Sequence, residues 1–285
     1  MDRSAALEYL IGQMAVVPER RWVDAGGINT HYLESGIGYP LVLMHGGGAG
    51  AIQWYRVIPA LAEAFRVIVP DVVGYGETDK PRARYDRTYF AEWMKAFTNG
   101  LGLERFHLVA ASQSGPAALQ FAVEHESRIN HLVLVDSAGF QDRIPAGALF
   151  GMMRLYSVSS LSALRSYRRY LVHDPDSLDG ALAAYAVGVV RMTGGRRAFW
   201  RGRGRAVEPL PESLLRRVSR PLLVVWGRED RLFTLEAAAD RMRLLHRVHL
   251  EVLPRAGHLS FLDQPAAFCR LVLGVLTSET DGRMG

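Results

Sequence analysis

One cysteine, Cys269, stands among 285 residues, so no internal disulfide framework can form. Its neighbours Phe268, Leu271 and Val272 predict a thiol buried on a helix. Long apolar runs are also missing. No stretch reaches the ~20 residues of a membrane-spanning helix, and the N-terminus, with Asp2, Arg3 and Glu8, lacks the apolar segment of a secretory signal. These absences predict a cytoplasmic protein with no membrane partner. Neither G-x-x-x-x-G-K-[ST] nor G-x-G-x-x-G occurs, and His and Cys are not clustered at ligand spacing, so no metal and no organic cofactor is expected. The formal net charge of +5 comes mostly from arginine. Arg165, Arg168, Arg169, Arg191, Arg196, Arg197, Arg201, Arg203 and Arg205 crowd one middle region, but no recognisable nucleic-acid module frames them, and nucleic acid is not an expected partner. They read as a solvated or acid-paired surface, or as attraction for an anionic substrate. A small-molecule substrate is the expected partner, and a homodimer is compatible with the sequence.

What is present is an alternation. Apolar residues make up 49% of the chain, with glycine and proline spread along it, as in a globular protein. Arg21 to Ala25 and Ile28 to Glu34, on either side of Gly26-Gly27, read as a hairpin, with an amphipathic helix carrying Leu7, Leu10, Ile11 and Met14 packed outside it. Short apolar runs follow at Leu41 to Met44, Val67 to Val69, His107 to Ala111, Leu132 to Val135, Leu222 to Trp226 and His249 to Leu253. Runs apolar on both faces, separated by helical periodicity, predict buried parallel strands in an α/β sheet of about eight strands. The alternation breaks from Gly139 to Pro211, where helix-like segments such as Ser160 to Tyr170 and Leu178 to Arg191 follow one another. The expected organisation is a core over 1–138 and 214–285 with a helical insert over 139–213, and a tail after Leu276.

The chemistry-bearing residues sit at the ends of these runs. Ser112, in Val109-Ala110-Ala111-Ser112-Gln113-Ser114-Gly115, falls where a strand meets a helix, and Ala110 and Ser114 are small enough to let the backbone bend sharply there. A serine hydroxyl needs a base, and His258, in a loop after the last strand, is the candidate. The base needs a carboxylate to hold its tautomer; Asp230 is favoured, with Glu229 and Asp136 as alternatives. The N–H of Gln113, at the start of the following helix, is a donor for the oxyanion.

The order Ser, Asp, His, preceded by His45-Gly46-Gly47-Gly48 and by Asp71-Val72-Val73-Gly74-Tyr75-Gly76-Glu77-Thr78-Asp79-Lys80-Pro81, resembles the α/β-hydrolases over nearly the whole chain. The resemblance implies a mostly parallel eight-stranded sheet with helices on both faces and a cap inserted after the sixth strand. It also implies the Gly47 N–H as second oxyanion donor, with Gly46 and Gly48 as its neighbours, and His45 as a brace for that turn. Haloalkane dehalogenases and epoxide hydrolases share the fold but carry aspartate where Ser112 stands. Among serine members the chain is most similar to carbon–carbon hydrolases of meta-cleavage products, on His45 to Ala51 with Trp54, on Trp226-Gly227-Arg228-Glu229-Asp230-Arg231 and on Leu171-Val172-His173-Asp174-Pro175. It departs from them at Ala111, where they carry asparagine, at Leu259, where they carry tryptophan, and over Ala183-Ala184-Tyr185-Ala186, where they carry an arginine for the dienoate.

The substrate is expected to meet Gly46, Trp54, Met153, Trp200 and Leu259, with Phe150, Met152, Tyr156 and Phe199 as further lining candidates and Arg191 as a stand-in for the missing arginine. Loss of the dienoate-binding residues puts first a cofactor-independent serine hydrolase forming an acyl-enzyme on Ser112 from a small, largely apolar ester, thioester or lactone. The alternative is hydrolysis of a carbon–carbon bond in a meta-cleavage product or β-diketone type substrate. From other classes, the same fold hosts cofactor-free lyases or oxygenases and ligand-binding receptors.

Overall fold

The computed structural model describes residues 1–178, 180–202 and 204–277; the tail expected after Leu276 and Arg203 of the arginine group lie outside that set, apart from Thr277. Eight strands form one sheet: β1 (Glu19–Asp24), β2 (Asn29–Ser35), β3 (Pro40–Met44), β4 (Arg66–Pro70), β5 (Phe106–Ala111), β6 (Ile129–Val135), β7 (Leu222–Gly227) and β8 (Val248–Leu253). Their order is β1-β2-β4-β3-β5-β6-β7-β8. The hairpin β1/β2 and the pair β2/β4 are antiparallel, and every later pair is parallel. All residues of β5 and β7 are buried, as parallel strands covered on both faces must be, whereas the edge strand β1 is largely exposed.

Helix α1 (Arg3–Gly12) precedes the sheet, and α2 (Ile58–Ala62), α3 (Arg87–Gly100) and α4 (Ser114–Glu124) alternate with the central strands. Between β6 and β7 the described residues form five α-helices and no strand: α5 (Ala146–Val158), α6 (Leu161–Tyr167), α7 (Gly180–Arg191), α8 (Arg197–Gly202) and α9 (Glu212–Leu215). The rest are α10 (Leu235–Met242), α11 (Ser260–Asp263) and α12 (Pro265–Thr277), the last carrying the buried Cys269. Ser160 caps α6 by accepting the N–H of Ala163 at 3.1 Å, which starts that helix where the sequence places it. Helix α9 spans residue 213, the expected end of the insert, and packs on α4.

The N-terminal helix differs from expectation. It packs on α7 of the inserted segment rather than outside the hairpin. Gly188 makes this approach possible: a Cβ there would lie 2.6 Å from the Cβ of Arg3. Arg3 also pairs with Glu77, so α1 joins the insert to the loop after β4.

Candidate active site

Parallel strands β3, β5 and β6 lie side by side, and the loops at their C-terminal ends converge. Ser112 follows β5 directly and has φ 50°, a left-handed conformation that a non-glycine residue adopts only at a cost of about 1–3 kcal/mol. The turn is held by the Ser112 N–H donating to Val135 O at 2.9 Å and by Ser112 O accepting from Gly115 and Ala138. Gly115 is required for the close pass of β6's exit loop, since a Cβ there would fall 1.9 Å from Ser137 Oγ.

Ser112 Oγ lies 2.8 Å from His258 Nε2, and His258 Nδ1 lies 2.9 Å from Asp230 Oδ2. The other Asp230 oxygen accepts the N–H groups of Leu232 and Phe233 at 2.8 and 2.9 Å, which aims the carboxylate. Sequence alone left the acid open among three residues. Glu229 is used elsewhere, accepting the Ala256 N–H, and Asp136 accepts the N–H groups of Gly227 and Ser260 without a hydrogen bond to the imidazole. Burial opposes the His258 cation, but the charge and hydrogen bond of Asp230, with Asp136 behind, outweigh it and raise the imidazole pKa. Burial, then repulsion from Asp230, pushes the Asp136 carboxyl up to about 8.

The glycine turn passes over the serine. A Cβ on Gly46 would lie 2.7 Å from Ser112 Cβ, so glycine there allows this approach, and one on Gly47 would lie 2.9 Å from Gln113 Oε1 and displace that amide. Among the described residues neither the Gly47 N–H nor the Gln113 N–H has an acceptor, and Gln113 immediately precedes the N-terminus of α4. His45 braces the turn as the sequence suggests. Its Nε2 accepts the Val72 N–H at 2.9 Å, so Nδ1 carries the proton and donates to Gly46 O at 2.6 Å. Sequence reasoning missed two supports. Asp71 accepts from Ala51, Glu77 and His31, locking the loop after β4 against the glycine turn, and Tyr75 donates to Gln113 Oε1 at 3.0 Å. Their signal was the D-x-x-G-x-G loop, in which Gly76 has no room for a Cβ beside Asp71.

Above the serine is a cavity of about 700 Å³, walled on one side by the glycine turn and on the other by the inserted helices. Gly46, Met153, Trp200 and Leu259 line it, as do Met152, Tyr156 and Phe199. Among the described residues its lining holds no charged side chain apart from His258. Trp54 is a correction. It is fully buried and stacked on Phe261 with ring centroids 4.0 Å apart, so it fills the core beneath α11 and α12 rather than meeting substrate. Phe150 also misses the cavity, being 69% exposed, and Arg191 turns its Nε to Ser159 O at 2.7 Å. Among the described residues no group of three or more His, Cys, Asp or Glu is placed to hold a metal ion.

Comparison with known proteins agrees with this geometry. The chain is 30% identical over 276 residues, covering 92% of both sequences, to 2-hydroxy-6-oxo-6-(2'-aminophenyl)hexa-2,4-dienoic acid hydrolase of Metapseudomonas resinovorans. It is 31% identical to 2-hydroxymuconate semialdehyde hydrolase of Pseudomonas sp. (strain CF600), covering 92% of this chain and 94% of that one. The fold matches that of 2-hydroxy-6-oxo-6-phenylhexa-2,4-dienoate hydrolase from Rhodococcus sp. with a TM-score of 0.83 at 24% identity, over 93% of this chain and 100% of that one. The family model for the alpha/beta hydrolase fold matches residues 39–265. That span runs from β3 through α11 and contains all three hydrogen-bonded side chains, so the chain belongs to the α/β-hydrolase fold family and is a serine hydrolase within it.

Proposed function

We propose that this chain hydrolyses a carbon–carbon bond beside a ketone in an uncharged, largely apolar substrate of the β-diketone type, through an acyl-enzyme on Ser112. The observation that carries the reading is the Ser112–His258 hydrogen bond of 2.8 Å beneath a cavity whose described lining residues, His258 apart, carry no charge. Relatives at 30% and 31% identity, both described as dienoate or semialdehyde hydrolases, support the bond class over the ester reading that the sequence put first. The described lining residues support an uncharged substrate, because a carboxylate desolvated against them would meet no cation.

In this mechanism Ser112 Oγ attacks the ketone carbon while His258 Nε2 takes its proton, and Asp230 stabilises the imidazolium. The oxyanion accepts from the N–H groups of Gln113 and Gly47, a pair of donors each worth about 10²–10³ in rate. The bond between the acyl carbon and its neighbour then breaks. Its electron pair leaves as the enolate of the second carbonyl, which takes the proton from His258 at carbon and departs as a ketone. Water, deprotonated by His258, attacks the acyl-enzyme, releases the carboxylic acid and restores Ser112. The balance is R–CO–CH2–CO–R′ plus water giving R–COOH and CH3–CO–R′. The inserted helices act in this reading as a cap that keeps bulk water from the enolate.

A second reading, hydrolysis of an ester, thioester or lactone, is favoured by the same uncharged set of described lining residues and uses the same groups, with oxygen or sulfur taking the proton. A panel of a neutral 1,3-diketone, a 2-hydroxy-6-oxo-dienoate and a short acyl ester, run on wild type and Ser112→Ala, decides between them. Turnover of the diketone well above the dienoate is expected, with no turnover and no fluorophosphonate label in Ser112→Ala. Ester turnover alone would select the second reading. Folded wild type that turns over none of the three and takes no label would remove both and leave the lyase, oxygenase or receptor classes.

A further inference from the structure

We propose that the outer face of helices α5, α6 and α8 is a docking surface for an anionic lipid bilayer. Helix α5 buries Ala148, Gly151, Leu155 and Tyr156. Its opposite side is apolar too: Phe150 is 69% exposed, Val158 58%, Met153 44% and Leu149 43%. A helix apolar on both sides has one face that packing within the chain does not explain. Leu161 at the start of α6 and Trp200 on α8 extend the patch, and Tyr156 stacked on Phe199 at 4.2 Å holds α5 against α8. Leu149, Met153 and Trp200 also line the cavity, so the patch forms the rim of its mouth.

Charge selects the occupant. Residues 139–213 hold eleven arginines and six carboxylates, an excess of five that equals the net charge of the whole chain. At the C-terminal end of α5, Arg154, Arg191 and Arg196 bond only to neutral oxygens, those of Ser166 Oγ, Ser159 O and Ser157 O. Among the described residues none of the three is paired with a carboxylate, so each guanidinium is free to meet an outside anion. A second copy of this face would bring like charges together. A bilayer satisfies both features: apolar side chains enter the boundary between headgroups and acyl chains while arginines meet lipid phosphates. The contact is peripheral, since among the described residues no helix is long and apolar enough to cross a membrane. Docked this way, the cavity mouth opens toward the acyl region, where an apolar substrate concentrates. The docking stands independently of the reaction proposed above.

The test is co-sedimentation of the full chain with vesicles of phosphatidylcholine alone or with phosphatidylglycerol added. Wild type is expected to bind the anionic vesicles at least ~10-fold better than the neutral ones and to be released by salt. The double variant Phe150→Glu with Val158→Glu, at positions outside the cavity lining, is expected to lose binding with an unchanged melting temperature. Should it misfold, Arg154→Gln with Arg196→Gln is expected to weaken binding and flatten its salt dependence. The proposal fails if wild type ignores anionic vesicles, binds neutral ones equally, or if folded variants bind as wild type does. It also fails if wild type only self-associates through this face and the glutamate variant abolishes that.

Discussion

Ser114 Oγ donates to the main-chain carbonyl of His45 at 2.5 Å, tying the first turn of α4 to the glycine turn that precedes it by 69 residues. The two segments carry the Gln113 and Gly47 N–H groups, the oxyanion donors of the proposed mechanism, so in that mechanism this bond sets their spacing. Ser114→Ala keeps the small side chain that the turn requires and removes only the tie. The expected result is a fall in kcat of about 10-fold with KM nearly unchanged, since misplacing transition-state donors leaves ground-state binding intact. Unfolding in urea should show a loss of about 1 kcal/mol for the buried hydrogen bond. An unchanged kcat would mean that the two donors are positioned without it.

The raised pKa of His258 places the acidic limb of kcat/KM above the ordinary histidine value of about 6.5, because only the neutral imidazole can accept the serine proton. Steady-state rates across the acid and neutral range check this; a limb below that value would count against the coupling to Asp230.

Asp136 carries a separate prediction for stability. Its folded pKa, pushed up to about 8, lies above the carboxylate's ordinary 3.8, so the folded state holds the proton more tightly. The contribution to stability is full below the unfolded pKa, shrinks as pH rises, and is lost as pH passes through about 8. One proton taken up on folding corresponds to a slope of at most about 1.4 kcal/mol per pH unit. Urea melts from pH 5 to 9 should therefore show falling stability, with part of the slope missing in Asp136→Asn and the remainder due to His258, whose raised pKa has the same sign. A wild type whose stability rises over this range would contradict the protonated carboxyl.

Much of this fold and site is legible in the sequence, for identifiable reasons. Strands such as β5 and β7 are buried on both faces, so their residues are apolar without interruption and stand out from amphipathic helices. Ser112 is visible because small residues flank it at a strand-to-helix junction. What failed was partner choice over long distance. The stripe of Leu7, Leu10 and Ile11 shows that α1 buries one face but not that the surface it covers is α7. Trp54 follows the glycine turn closely enough to look like a cavity residue, yet its ring stacks on Phe261, more than 200 residues later. The acid partner of His258 was ambiguous because three carboxylates end strands or loops nearby, and only the orientation given by the Leu232 and Phe233 N–H groups separates Asp230 from the others.

Trp54→Ala empties a space within the core and is expected to cost about 3–5 kcal/mol, whereas Trp54→Phe keeps the stack on Phe261 and most of the stability. If the ring lies in the core, kcat/KM for Trp54→Phe stays near wild type for every substrate tried. A change in substrate preference would return Trp54 to the cavity wall.

Ala186, on α7, lines the cavity within the segment where the resembling carbon–carbon hydrolases carry an arginine. Ala186→Arg supplies a cation that the described lining residues lack. With a 2-hydroxy-6-oxo-dienoate, the carboxylate gains a partner in a desolvated site, and kcat/KM should rise by about 10-fold, or about 1.4 kcal/mol of transition-state binding. The neutral diketone gains nothing from the guanidinium and loses space, so its kcat/KM should fall. Without substrate the cation is buried and unpaired, so thermal melting should move down, and the dienoate should restore part of the loss by binding the folded state. The combined pattern matters more than any single number: opposite changes for the two substrates show that the missing charge sets the selectivity. Parallel losses for both would mean that cavity shape alone sets it.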